Sequence, residues 1–302
     1  YYFLSTTNSG LMETAEESRD RNWSDLTHEC LVNIFSRLAL EVRWRRTVLV
    51  CRSWLDASRD SSLFSTFDLE SYFGSNAADF PPRRNPEFEA KIDGMLRSVV
   101  FWAAEFLTEI RVRHCTDRSL ALVAERCSKL EILSMKCSTN ATDAAMAKIA
   151  LRCPILTELD VSHCTAISAE SLDSVGRNCR NLKILRRNWT RTSGAPGQLE
   201  ADLEAAAIGK WMASLKRLEI RASSISGRGL AAVSEGCSEL GHLDLRGCDH
   251  LSPRDVRRAA FGLKHLKCLE EPRIQSSGNM DPAEGYVAVC RSLMLTATLR
   301  QL

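Results

Sequence analysis

The sequence predicts an α/β fold: a short solenoid of strand–helix units, entered through a separate N-terminal helical module. Three observations carry this reading. Cys127, Cys153 and Cys179 recur at a fixed interval of 26 residues, with Leu130, Leu156 and Leu182 in step and Leu240 and Leu266 repeating the interval downstream. Each unit opens with apolar residues at relative positions 1, 4 and 6, as in Leu156, Leu159 and Val161, followed by a set at helical spacing such as Leu172, Val175 and Cys179. Residues 23–55 show instead an amphipathic stripe, Leu31, Ile34, Phe35 and Leu38, at i, i+3, i+4 and i+7.

Composition bounds the rest. A chain of 302 residues allows about two domains. With 44% hydrophobic and 26% charged residues it is neither disordered throughout nor collagen-like or low in complexity. Lys+Arg 40 against Asp+Glu 38 leaves a net charge of +2, so no global field draws the chain to nucleic acid or an anionic membrane. No apolar run approaches the roughly 18 residues of a spanning helix. Residues 1–21 are expected to be disordered, and their apolar residues, interrupted by Ser, Thr and Asn, do not form an export signal. The expected compartment is therefore reducing, nucleus and/or cytoplasm, with the 12 cysteines as thiols.

The units run in order. They read LTEIRVRHCTDRSLALVAERC from Leu107, LEILSMKCSTNATDAAMAKIALRC from Leu130 and LTELDVSHCTAISAESLDSVGRNC from Leu156. A worn copy, LKILRRN, starts at Leu182. LKRLEIRASSISGRGLAAVSEGC from Leu215, LGHLDLRGCDHLSPRDVRRAAFG from Leu240 and a half-unit, LKCLEE, from Leu266 complete the series. Strand then helix, repeated, resembles the cysteine-containing class of leucine-rich repeats over residues 107–270. The resemblance implies a horseshoe with strands on the concave side. Two departures stand out: the first unit is three residues short, and Arg187 occupies a position that should bury a leucine.

The repeat cysteines read as small buried hydrophobes, since zinc ligation calls for pairs such as C-x-x-C and none occurs. His114–Cys115 and His163–Cys164 fill the same slot in two units, which makes them a packed cysteine beside a turn histidine. No G-x-S-x-G, Walker A or H-E-x-x-H sequence is present. GRGLAA at Gly227–Ala232 fits the G-x-G-x-x-A of a dinucleotide site. Other units fill that turn with TDAAM or ISAES, however, so it reads as one variant of a shared bend. No catalytic, cofactor-binding or metal-binding residue is expected, and the chain is not read as an enzyme.

Residues 22–66 form the helical module, with α-helix entered at Thr27 and a second apolar group at Val48, Cys51, Trp54 and Leu55. So few short helices cannot bury a self-sufficient core, and the stripe expects a partner. Leu26, Glu29, Leu31, Ile34, Phe35, Leu38, Val50, Cys51 and Trp54 follow in order the pattern of the F-box, which this segment resembles. Thr27 replaces the usual proline, tolerable because threonine caps helices, and Cys30 replaces a leucine. The whole chain resembles small plant Skp-interacting F-box/LRR proteins.

Residues 67–106 are expected to join the parts, as a Pro-rich loop followed by a helix from Glu87 carrying Phe88, Ile92, Leu96, Val99 and Val100 that caps the solenoid. Alternation then predicts which strand residues face outward on the concave side. The first column is Glu109, Ile132, Glu158, Arg217 and His242. The middle column is Arg111, Ser134, Asp160, Glu219 and Asp244. The third is Arg113, Lys136, Ser162, Arg221 and Arg246. The third column is mostly basic and favours an acidic or phosphorylated client segment. After LKILRRNW a loop precedes a helix with Leu203, Ala206, Ala207, Lys210 and Trp211, and Trp189 or Trp211 is a possible interface anchor. Residues 271–302 form a tail with no assigned role.

The resemblance implies a substrate-recognition subunit of a Skp–cullin–F-box ubiquitin ligase. Leu26, Leu31, Ile34, Phe35, Leu38 and Trp54 would dock the Skp adaptor and, through it, a cullin–RING core. The strand face, through Arg111, Arg113, Lys136, Asp160, Glu219, Arg221, Asp244 and Arg246, would hold an unidentified client protein. Ubiquitin transfer by a conjugating enzyme elsewhere in the assembly would follow from proximity. The competing reading is an interaction scaffold whose N-terminal helices only cap the solenoid; there the stripe is buried within the chain rather than accessible.

Overall fold

The computed structural model describes residues 23–70, 85–190 and 195–272. The chain divides into two compact units between Ser58 and Arg59. The smaller contains α1 (His28–Ser36), α2 (Leu40–Arg45) and α3 (Arg52–Ser58), with 3-10 turns at Trp23–Asp25 and Thr47–Leu49. Thr27 caps α1 as expected, its Oγ1 accepting from the Cys30 amide at 3.3 Å. Leu31 and Phe35, one turn apart, are fully buried, and the Phe35 ring meets Trp54 edge-on at 5.1 Å. The Thr47 and Ser58 hydroxyls, 2.8 Å apart, tie the second turn to the end of α3.

The larger unit is built on one parallel sheet. Its strands are β1 (Thr66–Asp68), β2 (Glu109–Arg113), β3 (Ile132–Lys136), β4 (Glu158–Asp160), β5 (Ile184–Arg186), β6 (Arg217–Glu219), β7 (His242–Asp244) and β8 (Cys268–Glu270), adjacent in chain order. Between them run α4 (Pro86–Ala103), α5 (Asp117–Arg126), α6 (Asp143–Arg152), α7 (Ala169–Asn178), α8 (Gln198–Trp211), α9 (Gly227–Gly236) and α10 (Pro253–Gly262). This is the F-box-like helical module and leucine-rich-repeat solenoid read from the sequence. The apolar triplets sit inside: Leu156, Leu159 and Val161 are fully buried, as are Leu107, Ile110 and Val112.

The solenoid starts earlier than its leucines do. Thr66 pairs with Glu109 and Phe67 with Ile110, so the last residue of the expected helical module and the first of the expected joining segment supply a first strand. Phe64, Phe67 and Leu69 occupy relative positions 1, 4 and 6 and are buried, phenylalanine doing the work of leucine. The helix expected from Glu87 is present as α4, capped by Asn85, with Ile92, Leu96, Val99 and Val100 buried. It packs beside α5 as a repeat helix does. The Pro-rich stretch up to residue 84, residues 1–22 and the tail from residue 273 lie outside the described residues.

Two ladders stitch neighbouring units. Asp93, Asp117, Asp143 and Asp202 each accept from both the amide and the hydroxyl of the next helix's N-cap, respectively Thr116, Thr142, Ser168 and Ser226. Each carboxylate thereby holds the neighbouring helix start in place, an arrangement of a kind with N-caps worth about 1 kcal/mol. The second ladder explains the cysteines. Cys127, Cys153, Cys179 and Cys237 are the C-caps of their helices. Cys153 Sγ donates to the Cys127 carbonyl at 3.4 Å and Cys179 Sγ to the Cys153 carbonyl at 3.5 Å. A thiol fills the space of a small hydrophobe while answering a helix-end carbonyl with no partner inside its own helix. Burial pushes these thiols up to about 12 at Cys127 and Cys153 and about 11 at Cys179, so they stay protonated and inert.

The turns after β2, β3, β4, β6 and β7 are left-handed. His114, Cys137, His163 and Ala222 take φ of 56°, 57°, 62° and 50°, with Gly247 at 75° in the last such slot. The two His–Cys dipeptides are thus turn histidines followed by buried cysteines, as read. Among the described residues no group of His, Cys, Asp or Glu is placed to hold a metal ion.

The worn unit is irregular. From β5 to β6 the register advances 33 residues (184 to 217) against 26 (158 to 184). The N-cap of α8 is Gly197, which offers no side-chain cap, and the aspartate ladder skips this junction. Arg187, at the leucine position, is nevertheless buried. It donates to Glu204 at 2.7 and 3.1 Å and to the carbonyls of Val161, Cys164 and Ile167 at 3.2, 2.8 and 2.6 Å. Its guanidinium lies 4.4 Å from the centre of the Trp189 ring. Further along, α8 and α9 touch backbone to backbone: a Cβ on Gly236 would fall 1.8 Å from the Gly209 carbonyl oxygen.

Candidate functional site

The helical unit divides the amphipathic stripe by angle. Leu31 and Phe35 point inward and form its core, so they offer no surface to a partner; their place in the expected docking set is corrected to an interior one. Ile34, adjacent to Phe35 and so rotated about 100° around the helix, is exposed, and Leu26, Leu38 and Trp54 are half-buried. The Trp54 indole donates to the Trp23 carbonyl at 3.1 Å, which fixes its orientation. Val42, Leu49 and Val50 are also exposed; the first two were not singled out, and Val50 entered the F-box pattern but not the docking set. With Glu41, Arg45 and Arg46 they line a groove of about 520 Å³. The signal was available, since Val42 and Leu49 flank the basic residues that interrupt the second apolar group.

The strand face is an ion-pair lattice. Glu70 accepts from Arg113 at 3.0 Å and Lys136 at 3.1 Å, and Lys136 lies 3.5 Å from Asp160. Arg111 pairs with Glu109 and, at 3.0 Å, with Glu158. Arg186 bridges Glu158 at 2.6 Å and Glu219 at 3.2 Å. Arg217 donates to Glu219 at 2.8 Å; Arg221 and Arg246 converge on Asp244 at 2.6 and 2.7 Å.

Alternation placed these columns on the correct face but overstated their exposure. Arg113, Asp160, Glu219 and Asp244 are buried, whereas Arg111, Lys136, Arg221 and Arg246 are partly open. The reason is the spacing of about 4.8 Å between parallel strands, which lets a long guanidinium lie across the short carboxylate of its neighbour. Two members escaped the sequence reading. Arg186 sits in register between Asp160 and Glu219, and alignment on Leu182 and Leu185 locates it. Glu70 follows the phenylalanine triplet that begins the sheet.

Pairing governs titration here. Burial alone would raise the Glu219 carboxyl, but hydrogen bonds from Arg217 and Asn188 and the charges of Arg186 and Arg221 hold it below the ordinary range. Asp244 is treated likewise by burial against Arg246 and Arg221, and Glu70 by burial against Arg113 and Lys136. Glu70, Glu219 and Asp244 are therefore ionised at neutral pH.

No family model matches the chain. Two curated Arabidopsis thaliana proteins are similar over most of it. F-box protein SKIP1 is 44% identical over 286 residues, covering 89% of this chain and 94% of the relative. Putative F-box/LRR-repeat protein 19 is 48% identical over 267 residues, covering 83% and 87%. The chain belongs to the F-box/LRR-repeat protein family. Among solved structures, the yeast Rad7 and Elc1 complex is a distant likeness, with a TM-score of 0.49 and 14% identity over 85% of this chain and 64% of that one.

The packing of the F-box/LRR-repeat solenoid disposes of the dinucleotide reading of GRGLAA. A Cβ on Gly227 would fall 2.5 Å from Asp255, and one on Gly229 2.5 Å from the Asp202 carboxylate oxygen. These glycines let one repeat pack against the next and leave no space for a phosphate. Of the two tryptophans weighed as anchors, Trp189 is buried against Arg187. Trp211 is half-buried, with its indole donating to Asp173 and Arg177, Arg180 and Lys210 over its ring.

Proposed function

We propose that this F-box/LRR-repeat protein is a non-catalytic substrate-recognition subunit of a Skp–cullin–F-box ubiquitin ligase. The helical unit docks the Skp adaptor, the strand face holds a client protein, and ubiquitination of that client leads to its degradation. The compartment proposed for it is the nucleus and/or cytoplasm. The observation that carries the reading is the open apolar surface of the helical unit. Ile34, Val42, Leu49 and Val50 stay exposed although the unit has its own interior in Leu31 and Phe35. A helical cap would have no use for such a surface. The near full-length likeness to a relative named as an F-box protein supports the same reading.

The test is direct binding of the purified chain to a Skp adaptor, beside an Ile34→Asp/Leu49→Asp variant. Both positions are exposed, so the variant folds, as circular dichroism would verify. The expected outcome is tight binding by the wild type and its loss in the variant. A wild-type chain that does not bind leaves an interaction scaffold and ends the ligase reading.

A further inference from the structure

The lattice is not uniform in depth. In its N-terminal half the cations are less open: side-chain exposure is 11% for Arg113, 24% for Arg111 and 30% for Lys136. Around β6 and β7 the charges are layered. Arg217, Arg221 and Arg246 are 41%, 39% and 40% exposed, while the carboxylates beneath them, Glu219 and Asp244, are 6% and 0% exposed. An approaching molecule meets guanidinium edges first, and the compensating negative charge lies below.

The donors are also incompletely used. Arg217 spends its Nε on Glu219, and Arg221 spends its Nε on Asp244 with Nη2 3.5 Å from Glu219. Arg246 spends Nε and Nη2 on Asp244. The buried carboxylates hold the three side chains by their inner edges, which removes rotamer freedom before any ligand arrives and leaves outer N–H groups pointing to solvent.

We propose that Arg217, Arg221 and Arg246 form a preorganised anion clamp, and that the client segment it takes carries a phosphoryl group or clustered carboxylates. This deepens the client-binding part of the proposed function. It also replaces the wider expectation for the basic third column, because Arg113 is buried and Lys136 is shared by Glu70 and Asp160. Planar guanidinium forks match a phosphoryl or carboxylate edge with two parallel N–H donors each, and an oxyanion contacted by several of them is favoured over water.

The experiment uses the full chain and three fluorescein-labelled nonapeptides of identical Gly/Ala framework, carrying three phosphoserines, three glutamates or three serines, read by fluorescence anisotropy. The phosphoserine peptide is expected to bind and the serine peptide not. The glutamate peptide distinguishes the two anion sources: binding equal to phosphoserine assigns carboxylate clusters, and weaker binding assigns phosphoryl. An Arg217→Gln/Arg221→Gln/Arg246→Gln variant is expected to lose at least about tenfold in affinity. Arg152→Glu, on the exposed last turn of α6, controls for general charge and should change little. If the triple variant does not fold, Arg217→Gln alone suffices, since that side chain holds one carboxylate only. Equal binding of all three peptides, or a loss no larger in the clamp variant than in Arg152→Glu, overturns the proposal. Adaptor binding is measured on the same preparations, so failure of the clamp and failure of the ligase reading appear in separate measurements.

Discussion

Removing Glu204 probes the irregular unit more sharply than removing Arg187. The E204A change deletes two charge-assisted hydrogen bonds, at 2.7 and 3.1 Å, from a guanidinium that is 2% exposed. Leaving such a charge buried without its counter-ion costs about 3–5 kcal/mol. Replacing both partners, as in Arg187→Leu/Glu204→Leu, restores the apolar residue that the other units carry at this position. The Val161 and Cys164 carbonyls keep turn bonds from the Cys164 and Ile167 amides at 3.3 Å each. The Ile167 carbonyl, for which Arg187 is the donor at 2.6 Å, is left open. One unsatisfied carbonyl costs about 1–3 kcal/mol, so the double variant is expected to be more stable than E204A although it changes more atoms. Urea unfolding followed by circular dichroism and tryptophan fluorescence measures both, and Trp189, stacked on Arg187, reports the local change. An E204A variant within about 1 kcal/mol of wild type, well below the cost of an unpaired buried charge, would refute the reasoning. So would a double variant clearly less stable than E204A.

Lowering the pH should weaken the solenoid through His114 and His163. Burial, with the charge of Arg113, lowers His114 from 6.5 to about 4. Burial with Arg113, Lys136 and Arg187 lowers His163 equally. The unfolded chain then binds protons that the folded one refuses, so the stability present above pH 6.5 is lost progressively as pH falls toward 4. Between pH 7 and 5.5 the two together are worth about 2 kcal/mol. His114→Asn/His163→Asn, whose side chain tolerates the left-handed turn, should flatten that dependence in urea titrations at the two pH values. Asp117→Ala strips the amide and hydroxyl of Thr142 of their shared acceptor and should cost about 1–3 kcal/mol. Hydrogen exchange should speed up at the start of α6 and leave α10, which caps itself through Ser252 and Asp255, unchanged.

The sequence alone determined the repeat because a solenoid writes its fold in local spacing. Apolar residues at positions 1, 4 and 6 and a cysteine at the ends of α5, α6, α7 and α9 are consequences of one strand and one helix, and neither depends on distant contacts. Even the first unit, disguised by Phe64 and Phe67, obeyed that spacing. The stripe of the helical unit was legible for the same reason. Its division was decided only by the tertiary structure, since whether Leu31 or Ile34 faces inward depends on where Trp54 packs. The strand face shows the same limit. Alternation names the residues that leave the sheet, but their exposure follows from what lies opposite on the next strand. Asp244, chosen as a surface residue, is covered by Arg221 and Arg246. Arg187 is the clearest instance: a charge at a core position reads as a defect in the sequence. Only the folded chain supplies the remote carboxylate of Glu204 and the three carbonyls that make its burial tolerable, because they come from the neighbouring unit and from α8.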